Sequence, residues 1–419
     1  MMKNQETWDW HTPVKQVPVK EWQASYNWVE DFSVSPDGEQ IAAIVNLDDA
    51  EFGVRVNSDL WEEQFEKAWS LKHLPDGRLA VLAANDEEWT VCVDDAFWES
   101  RFDYVWDLQS TADGSHLSVA VQSDMQYGMA VDGTAWDTLF ESISGMVLSD
   151  QGDAAAVVQI DPLGQGDIQG FSQGIFGVAV NGSVSTDKFM NIWDVTFNTK
   201  GSQVAYTTRQ NRTDYGIANG NTRWSQSFQS AWKPLYVDSD QALVAPVRTG
   251  GKWYLYKDGS KFWNASFEQL WKLLQHPQQR KIAAVVCDSF GRWTVCVDGN
   301  CWQYHSDTMI SELAFSEKGN ILCAASKNDG YWDMVVNDRA WNLRADKIWM
   351  PCVSEDESVV VTRMEEKGKY VLVVNGKVYP EMFDMVFDPV VSPKGDKVLL
   401  KALQGGMYTR QVLSLDQIL

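Results

Sequence analysis

The sequence is poor in the residues that usually announce chemistry. It has five His and six Cys in 419 residues. None of the cysteines, at 92, 287, 296, 301, 323 and 352, forms a CxxC or CxxCH unit. That excludes haem attachment and the common zinc and iron–sulfur spacings. HExxH, GxSxG and Walker loops are also missing, and with them the enzyme classes those motifs define. No run of about 18 apolar residues occurs, so no membrane-spanning helix is expected. The start, MMKNQETWDWHTP, has no charged stretch followed by an apolar one. It is not read as a secretory signal, and the scattered cysteines fit a reducing cytoplasm.

Positive charge is scarce as well. There are 35 Lys and Arg against 58 Asp and Glu, a net charge of −23. No basic run offers the stripe that a nucleic-acid binder needs. An anionic membrane surface would repel the chain. The acidic balance favours solubility and leaves a basic partner open.

What the sequence does hold is 21 Trp, and nearly all of them recur in register. The stretches WSLKHLPDGRLAVLAANDEEWTVCVDDAFWESRFDY, from Trp69, and WKLLQHPQQRKIAAVVCDSFGRWTVCVDGNCWQYHSD, from Trp271, align without gaps. The period is about 39 residues, in the range of a propeller blade. A bulky residue opens strand a at Trp28, Trp69, Trp106, Trp193, Trp232, Trp271, Ile310, Trp349 and Phe387, with Ser144 in the same slot of the fourth repeat. Turns such as SPDG at 35–38 and LPDG at 74–77 follow. There Pro presets φ, Asp bonds its own backbone and Gly accepts φ > 0. A β-branched and Ala run is strand b, as in IAAIV at 41–45. Strand c opens on an aromatic (Phe52, Trp89, Tyr127 and their equivalents) and ends at an Asp or Asn turn such as VDG at 131–133, a strong hairpin signal. Strand d is assigned to Trp-x-x-x-Phe, as in WESRF at 98–102.

These units predict an all-β fold, a β-propeller of about ten four-stranded Trp-rich blades. The tenth repeat lacks strand d. Trp22-Gln-Ala-Ser-Tyr26 repeats the strand-d pattern ahead of the first repeat, so the N-terminal strand is expected to complete the last blade. The expected organisation is an N-terminal segment, 1–21, and a single propeller domain, 22–419. One ring is favoured over two five-bladed rings because a single closure explains both chain ends.

Most of the Trp are expected to pack blade against blade. Trp8 and Trp10 are required by no repeat, and either dock onto a partner or lie on the ring. The insertion IDPLGQGDIQGFSQG at 160–174 lengthens the b–c loop of repeat four. Loops on rigid scaffolds often carry binding function. Asp161, Pro162, Leu163, Ile168 and Phe171 are therefore candidate partner contacts, with a merely tolerated insertion as the other reading. Its glycines make no dinucleotide fingerprint, since no helix is expected after them. His73, His116 and His276 stand beside a–b turns and are read as solvated turn residues. Cys92 and Cys296 share one slot and are read as small buried strand residues. No catalytic, cofactor-binding or metal-ligating set is identified.

The S-P-D-G turns and V-D-G hairpins resemble WD40-like β-propellers across nearly the whole chain. The Trp density, the Trp-x-x-x-Phe signature and the acidic charge resemble a narrower group: the tryptophan-rich subunit of the transmembrane tetraheme cytochrome c complex (Tmc) of sulfate-reducing bacteria. That resemblance implies an accessory subunit without cofactors on the cytoplasmic side of a membrane redox complex. Its partners would be a multihaem cytochrome c, a cytochrome b and an iron–sulfur subunit. The function expected is a non-catalytic scaffold. A lectin-like glycan binder and a propeller hydrolase are the alternatives.

Overall fold

A computed structural model describes residues 5–237, 239, 242–276 and 278–418. It forms ten antiparallel sheets, each a blade of a propeller. Blade 2 is typical: strand a is Lys67–His73, b is Leu79–Asn85, c is Glu88–Val93 and d is Ala96–Phe97. Strand b is the buried centre of each blade. Ile41–Val45 and Leu79–Ala84 are almost wholly inaccessible to water. Alternating Ala with Val, Ile and Leu keeps these strands thin enough for neighbouring blades to pack on both faces.

One residue explains why the hairpins repeat so faithfully. Asp132 and Gly133 have φ of 48° and 83°, the two positive values that a tight hairpin turn requires. The Asp132 carboxylate also accepts from the Leu117 N–H, at 2.8 Å, which opens strand b. Asn57, Asp94, Asn181, Asp258, Asp298, Asn337 and Asn375 do the same for Ile41, Leu79, Ala154, Leu243, Ile282, Leu322 and Val360. Thus one short polar side chain shapes the c–d turn and fixes where strand b starts.

The Trp-x-x-x-Phe motif is not itself strand d, a correction to the sequence reading. Strand d is the two residues before it, such as Ala96–Phe97. The motif then runs irregularly along the outer edge and returns twice to strand c. Trp98 N–H donates to Val91 O at 2.9 Å, and Phe102 bridges to Trp89. The same bridge recurs in nine blades. It covers a sheet edge that would otherwise offer free N–H and C=O groups to another chain.

The strand-a slot also shifts at two blades. Trp69, Trp106, Trp193 and Trp271 pair with the fourth residue of strand b, as in Trp69↔Leu82. In blade 1 that partner is taken by Glu30, opposite Ile44, so Trp28 lies two residues early, at the position of Tyr104. In blade 8, Ile310 pairs one residue further along strand b, Glu312 stands in the slot opposite Ala325, and Ser311 is the bulged residue between them. After the slot the strand bulges, with left-handed residues such as Asp107 at φ 56° and Asp194 at φ 55°.

The N-terminus does complete blade 10, but by a different strand. Val14–Val17 pairs antiparallel with strand c, Met407–Ser414. Trp22–Tyr26, expected as that strand, instead lies in and just after a helix, Val19–Ser25. Trp22 is still buried, against Ile41, Leu403 and Tyr408. The ring is then sealed by three long side chains of blade 10 that reach the first a–b turn. Tyr408 Oη donates to Gly38 O at 2.8 Å, Arg410 Nε to Asp37 O at 3.0 Å and Lys401 Nζ to Pro36 O at 3.1 Å. Arg410 is fully buried and also pairs with Glu39 at 3.0 Å. The ring is continuous at its midpoint too: Ala205, Ile217 and Phe228 of blade 5 pack with Tyr236, Leu243 and Ala245 of blade 6. There is one ten-bladed ring, not two smaller ones.

Two predictions concern this seam. A Cβ on Gly38, at φ +74°, would lie 3.1 Å from both Arg410 and Lys401, whereas one on Gly77, at φ +96°, meets nothing within 4 Å. Gly77→Ala should cost about 1 kcal/mol for its left-handed backbone. Gly38→Ala should cost a further 1–3 kcal/mol, roughly, for overpacking. Urea midpoints of the two variants measure this; equal losses would mean that the seam yields freely. Burial lowers the Lys401 ammonium from 10.5 to about 8. Between those values the unfolded chain holds the extra proton, so stability rises with pH across that window. Wild type should therefore gain on Lys401→Met by about 3 kcal/mol between pH 8 and 10.5, and the difference should be flat below pH 8.

Candidate functional site

The d–a connections and b–c hairpins share one face of the disc, here the loop face. The strand-a slot and the opening of strand c both lie beneath it. Each blade that fills the slot pairs two rings there. Trp69 meets Trp89 at 6.5 Å, Trp106 meets Tyr127 at 6.1 Å, Trp193 meets Tyr215 at 5.8 Å and Trp232 meets Trp253 at 5.5 Å. Trp271–Trp293, Trp349–Tyr370 and Phe387–Tyr408 continue the series at 6.2, 5.5 and 6.4 Å. Between blades 2 and 3 the pairs fuse. Tyr104 stacks on Trp69 at 6.1 Å and on Trp106 at 6.0 Å, with Trp89 edge-on at 5.3 Å.

Packing is only half of what these rings do. Trp28 is 49% exposed, Trp232 44%, and Trp69, Tyr104 and Trp193 each 38%. The tryptophans of the Trp-x-x-x-Phe motif differ: Trp136 and Trp263 are buried, Trp61, Trp98 and Trp224 are partly buried, and none reaches the exposure of the slot rings named above. Sequence reasoning pooled both kinds as packing. The signal that separates them is position, because the slot sits at the first residues of strand a, next to the open loop face.

Several of the rings are already covered by cations of the chain. Lys347 Nζ and the Arg363 guanidinium each stand 4.7 Å from Trp349, Arg344 4.0 Å from Tyr331, Lys327 5.4 Å from Trp332 and Arg209 5.6 Å from Tyr215. Among the described residues, none lies over Trp28, Trp69, Trp89, Tyr104 or Trp106. Where blade 8 has Glu312 in the slot and Ser311 in the bulge before it, a cavity of 740 Å³ opens between Trp332 and Trp349.

The candidate residues of the sequence reading fall on two faces. The insertion belongs to the loop face. Leu163 and Ile168 are exposed there, at 40% and 70%, while Phe171 is half-buried. Asp161 pairs with Lys188 at 2.5 Å, and it lines a 350 Å³ cavity together with Pro162. Contrary to expectation, the insertion contains a helix, Ile168–Gln173, capped by Asp167 through Gly170 N–H at 2.8 Å. Trp8 and Trp10 lie apart from it. They stack at 6.2 Å and pack on Val390, Leu399 and Val412 of blade 10. Of the two readings offered for them, the structure has them on the ring.

Two other readings are corrected. His73 and His276 are buried, not solvated: both stand at the inner end of strand a, and burial lowers the His73 imidazole to about 4. His116 is half-exposed and pairs with Asp132 at 2.7 Å. Cys92 is a buried strand residue whose thiol is pushed up to about 12 by burial, which makes it inert. Cys296 is bonded to Cys301, its cross-strand partner in the c–d hairpin. Among the described residues, no group of three or more His, Cys, Asp or Glu is placed to hold a metal. No described helix is long and apolar enough to cross a membrane.

No protein-family model and no curated protein matches the chain. Solved structures do. A eukaryotic initiation factor structure is 13% identical over 74% of this chain and 87% of its own, with a TM-score of 0.42. The Dos1 propeller is 12% identical over 96% and 95%, at 0.36. The C-terminal WD40 domain of Sif2 is 11% identical over 92% and 95%, also at 0.36. Likeness at this level carries no argument about activity. The sheets, turns and ring closure described above make the chain a ten-bladed β-propeller of four-stranded antiparallel blades.

Proposed function

We propose that the chain is a non-catalytic scaffold that docks a partner protein on its loop face. One observation carries the reading: a row of half-exposed indole and phenol rings on a single face of a rigid ring. Aromatic rings are the residues that interfaces favour, because each offers a large, stiff contact surface. Contiguous exposed apolar surface of this kind marks interaction sites on soluble proteins. The propeller supplies the rest, since strands fixed on both faces hold the rings in place before a partner arrives.

The finer proposal is an accessory subunit of a membrane-bound respiratory electron-transfer complex. It would carry no cofactor and would bind on the cytoplasmic side to the cytochrome c, cytochrome b and iron–sulfur subunits. What supports this is the sequence resemblance: Trp density, Trp-x-x-x-Phe and acidic charge. A second reading has an observation of its own. Half-exposed slot tryptophans at equivalent positions of several blades, Trp69, Trp193 and Trp232, would offer several similar platforms for sugar rings, as in a lectin-like propeller.

Gentle affinity purification from native membranes, with optical spectra and mass spectrometry, separates the two. Haem-bearing and iron–sulfur subunits should co-purify with the chain. A colourless protein that elutes alone and binds glycan arrays at several sites per ring would replace this reading with the second.

A further inference from the structure

The b–c hairpins of the loop face divide by charge. Those of blades 1 to 3 read Asp48-Asp49-Ala50-Glu51, Asn85-Asp86-Glu87-Glu88 and Ser123-Asp124-Met125-Gln126, without a Lys or Arg. Glu66 and Asp103 add carboxylates in the connections into blades 2 and 3, with Lys67 the one cation beside them. In blades 5, 6, 7 and 9 the hairpins carry Arg212, Lys252, Arg292, Lys367 and Lys369. The rings beneath divide less sharply: among the described residues no cation stands over Trp232, Trp253, Trp271 or Trp293 of blades 6 and 7 either, but the hairpins of those blades carry Lys252 and Arg292. In blades 5, 8 and 9, Arg209, Arg344, Lys327, Lys347 and Arg363 of the chain itself stand over the aromatic rings. In blades 1 to 3 the equivalent rings have acids around them and no such cation among the described residues. Arg101, three residues before Tyr104, is held over Phe97 at 5.2 Å, on the outer edge.

A ring face attracts a cation through its quadrupole, and most strongly where water is displaced. Blade 9 demonstrates the geometry within this molecule: an indole in the slot takes an ammonium and a guanidinium together at 4.7 Å. We propose that the arc of blades 1 to 3, with Trp28, Trp69, Trp89, Tyr104 and Trp106 beneath an acidic rim, docks an Arg- or Lys-bearing segment of the partner protein. The proposal rests on the scaffold reading and names the chemistry of its partner. The partner's cations would do in trans what Lys347 and Arg363 do in cis. Guanidinium is preferred to ammonium, because it is planar, stacks on aromatic faces and sheds water more readily. The surrounding carboxylates speed the encounter and reject acidic segments.

The probe is a capped Arg-Gly repeat peptide of eight residues, titrated into the full-length protein at about 150 mM salt, where the screening length is roughly 8 Å. Tryptophan fluorescence and calorimetry read the binding. Three variants decide the outcome, each checked for an unchanged circular dichroism spectrum. Trp69→Leu with Trp106→Leu removes rings and keeps charge, and should weaken binding at least tenfold. Glu87→Gln with Glu88→Gln alters only an exposed hairpin, and should weaken it severalfold while steepening no unfolding curve. Glu317→Gln with Glu355→Gln removes the same charge from a–b turns on the opposite face, and should change affinity less than twofold. A Lys-Gly peptide should bind more weakly than the Arg-Gly peptide, and a Glu-Gly peptide not at all. Wild-type affinity in the ring variant, or equal losses in the two charge variants, would reduce the effect to net-charge attraction and overturn the proposal. If redox subunits co-purify with the ring variant as with wild type, the scaffold reading stands and this arc is not its docking site. If no subunit co-purifies but the peptide binds in a ring-dependent way, the arc stands and the respiratory reading falls.

Discussion

The architecture depends on a junction between residues more than three hundred positions apart. A propeller blade is a wedge with two apolar faces, and each face is satisfied only by a neighbour. Nine seams form between consecutive repeats. The tenth must join the last blade to the first, and it carries the molecule's most heavily buried charges. Lys401 and Arg410 lie inside it, and their donors point at the backbone carbonyls of the first a–b turn. Buried charge is costly unless it is paired and hydrogen-bonded. Here Glu39 supplies one countercharge and carbonyl dipoles supply much of the rest. Cations that would be expensive in any other register thus tie closure to one arrangement: Val14–Val17 on Met407–Ser414, with Tyr408 against Gly38.

That junction explains which parts of the fold were legible in the sequence. The repeat, the turns and the blade count are local, and local signals carry them. Asp132 and its equivalents announce the hairpin by residue type, and the side-chain bond to strand b follows from the same residue. Closure by the N-terminus was legible because an incomplete tenth repeat needs a strand. Which residues supply that strand was not legible. Trp22-x-x-x-Tyr26 matches the motif, and Trp22 is buried beside Tyr408 much as a motif Trp is buried. The motif describes a side chain that docks, and the backbone can deliver that side chain from a helix. The slot shifts at Glu30 and Glu312 have a similar origin. Trp28 and Ile310 are bulky residues beside the true slot, and only pairing with strand b decides between neighbours.

Other features were readable in principle. Cys92 faces Phe97 across its hairpin, so Cys296 and Cys301, at the same spacing in the repeat, must also face each other. Two thiols on directly opposed residues are placed to bond. The depth of His73 and His276 was less accessible. Adjacency to a turn reads as exposure along the chain, but the inner ends of strand a point into packed seams, and His73 sits against Ser33 of the preceding blade at 3.0 Å.

The repeats also supply an internal comparison that a single-copy fold would lack. Ten copies share one backbone, so differences between equivalent positions isolate what a position does. An aromatic residue in seven of ten slots argues that the slot matters for seams, and the seams at Glu30, Ser144 and Glu312 show that it is not indispensable for them. Where Glu312 replaces the indole in blade 8, a 740 Å³ cavity remains and the blade still forms. Packing alone therefore does not require Trp there, and a smaller aliphatic residue would be easier to bury without an exposed edge. The large, half-exposed ring is the expensive choice in a protein whose strand-b core is built mainly of Ala, Val, Ile and Leu. Blade 9 resolves the expense by covering its ring with Lys347 and Arg363. Blades 2 and 3 leave four fused rings under a rim of carboxylates. Two neighbouring blades that keep the exposed ring and surround it with the opposite charge are built for a cation that the chain does not itself provide.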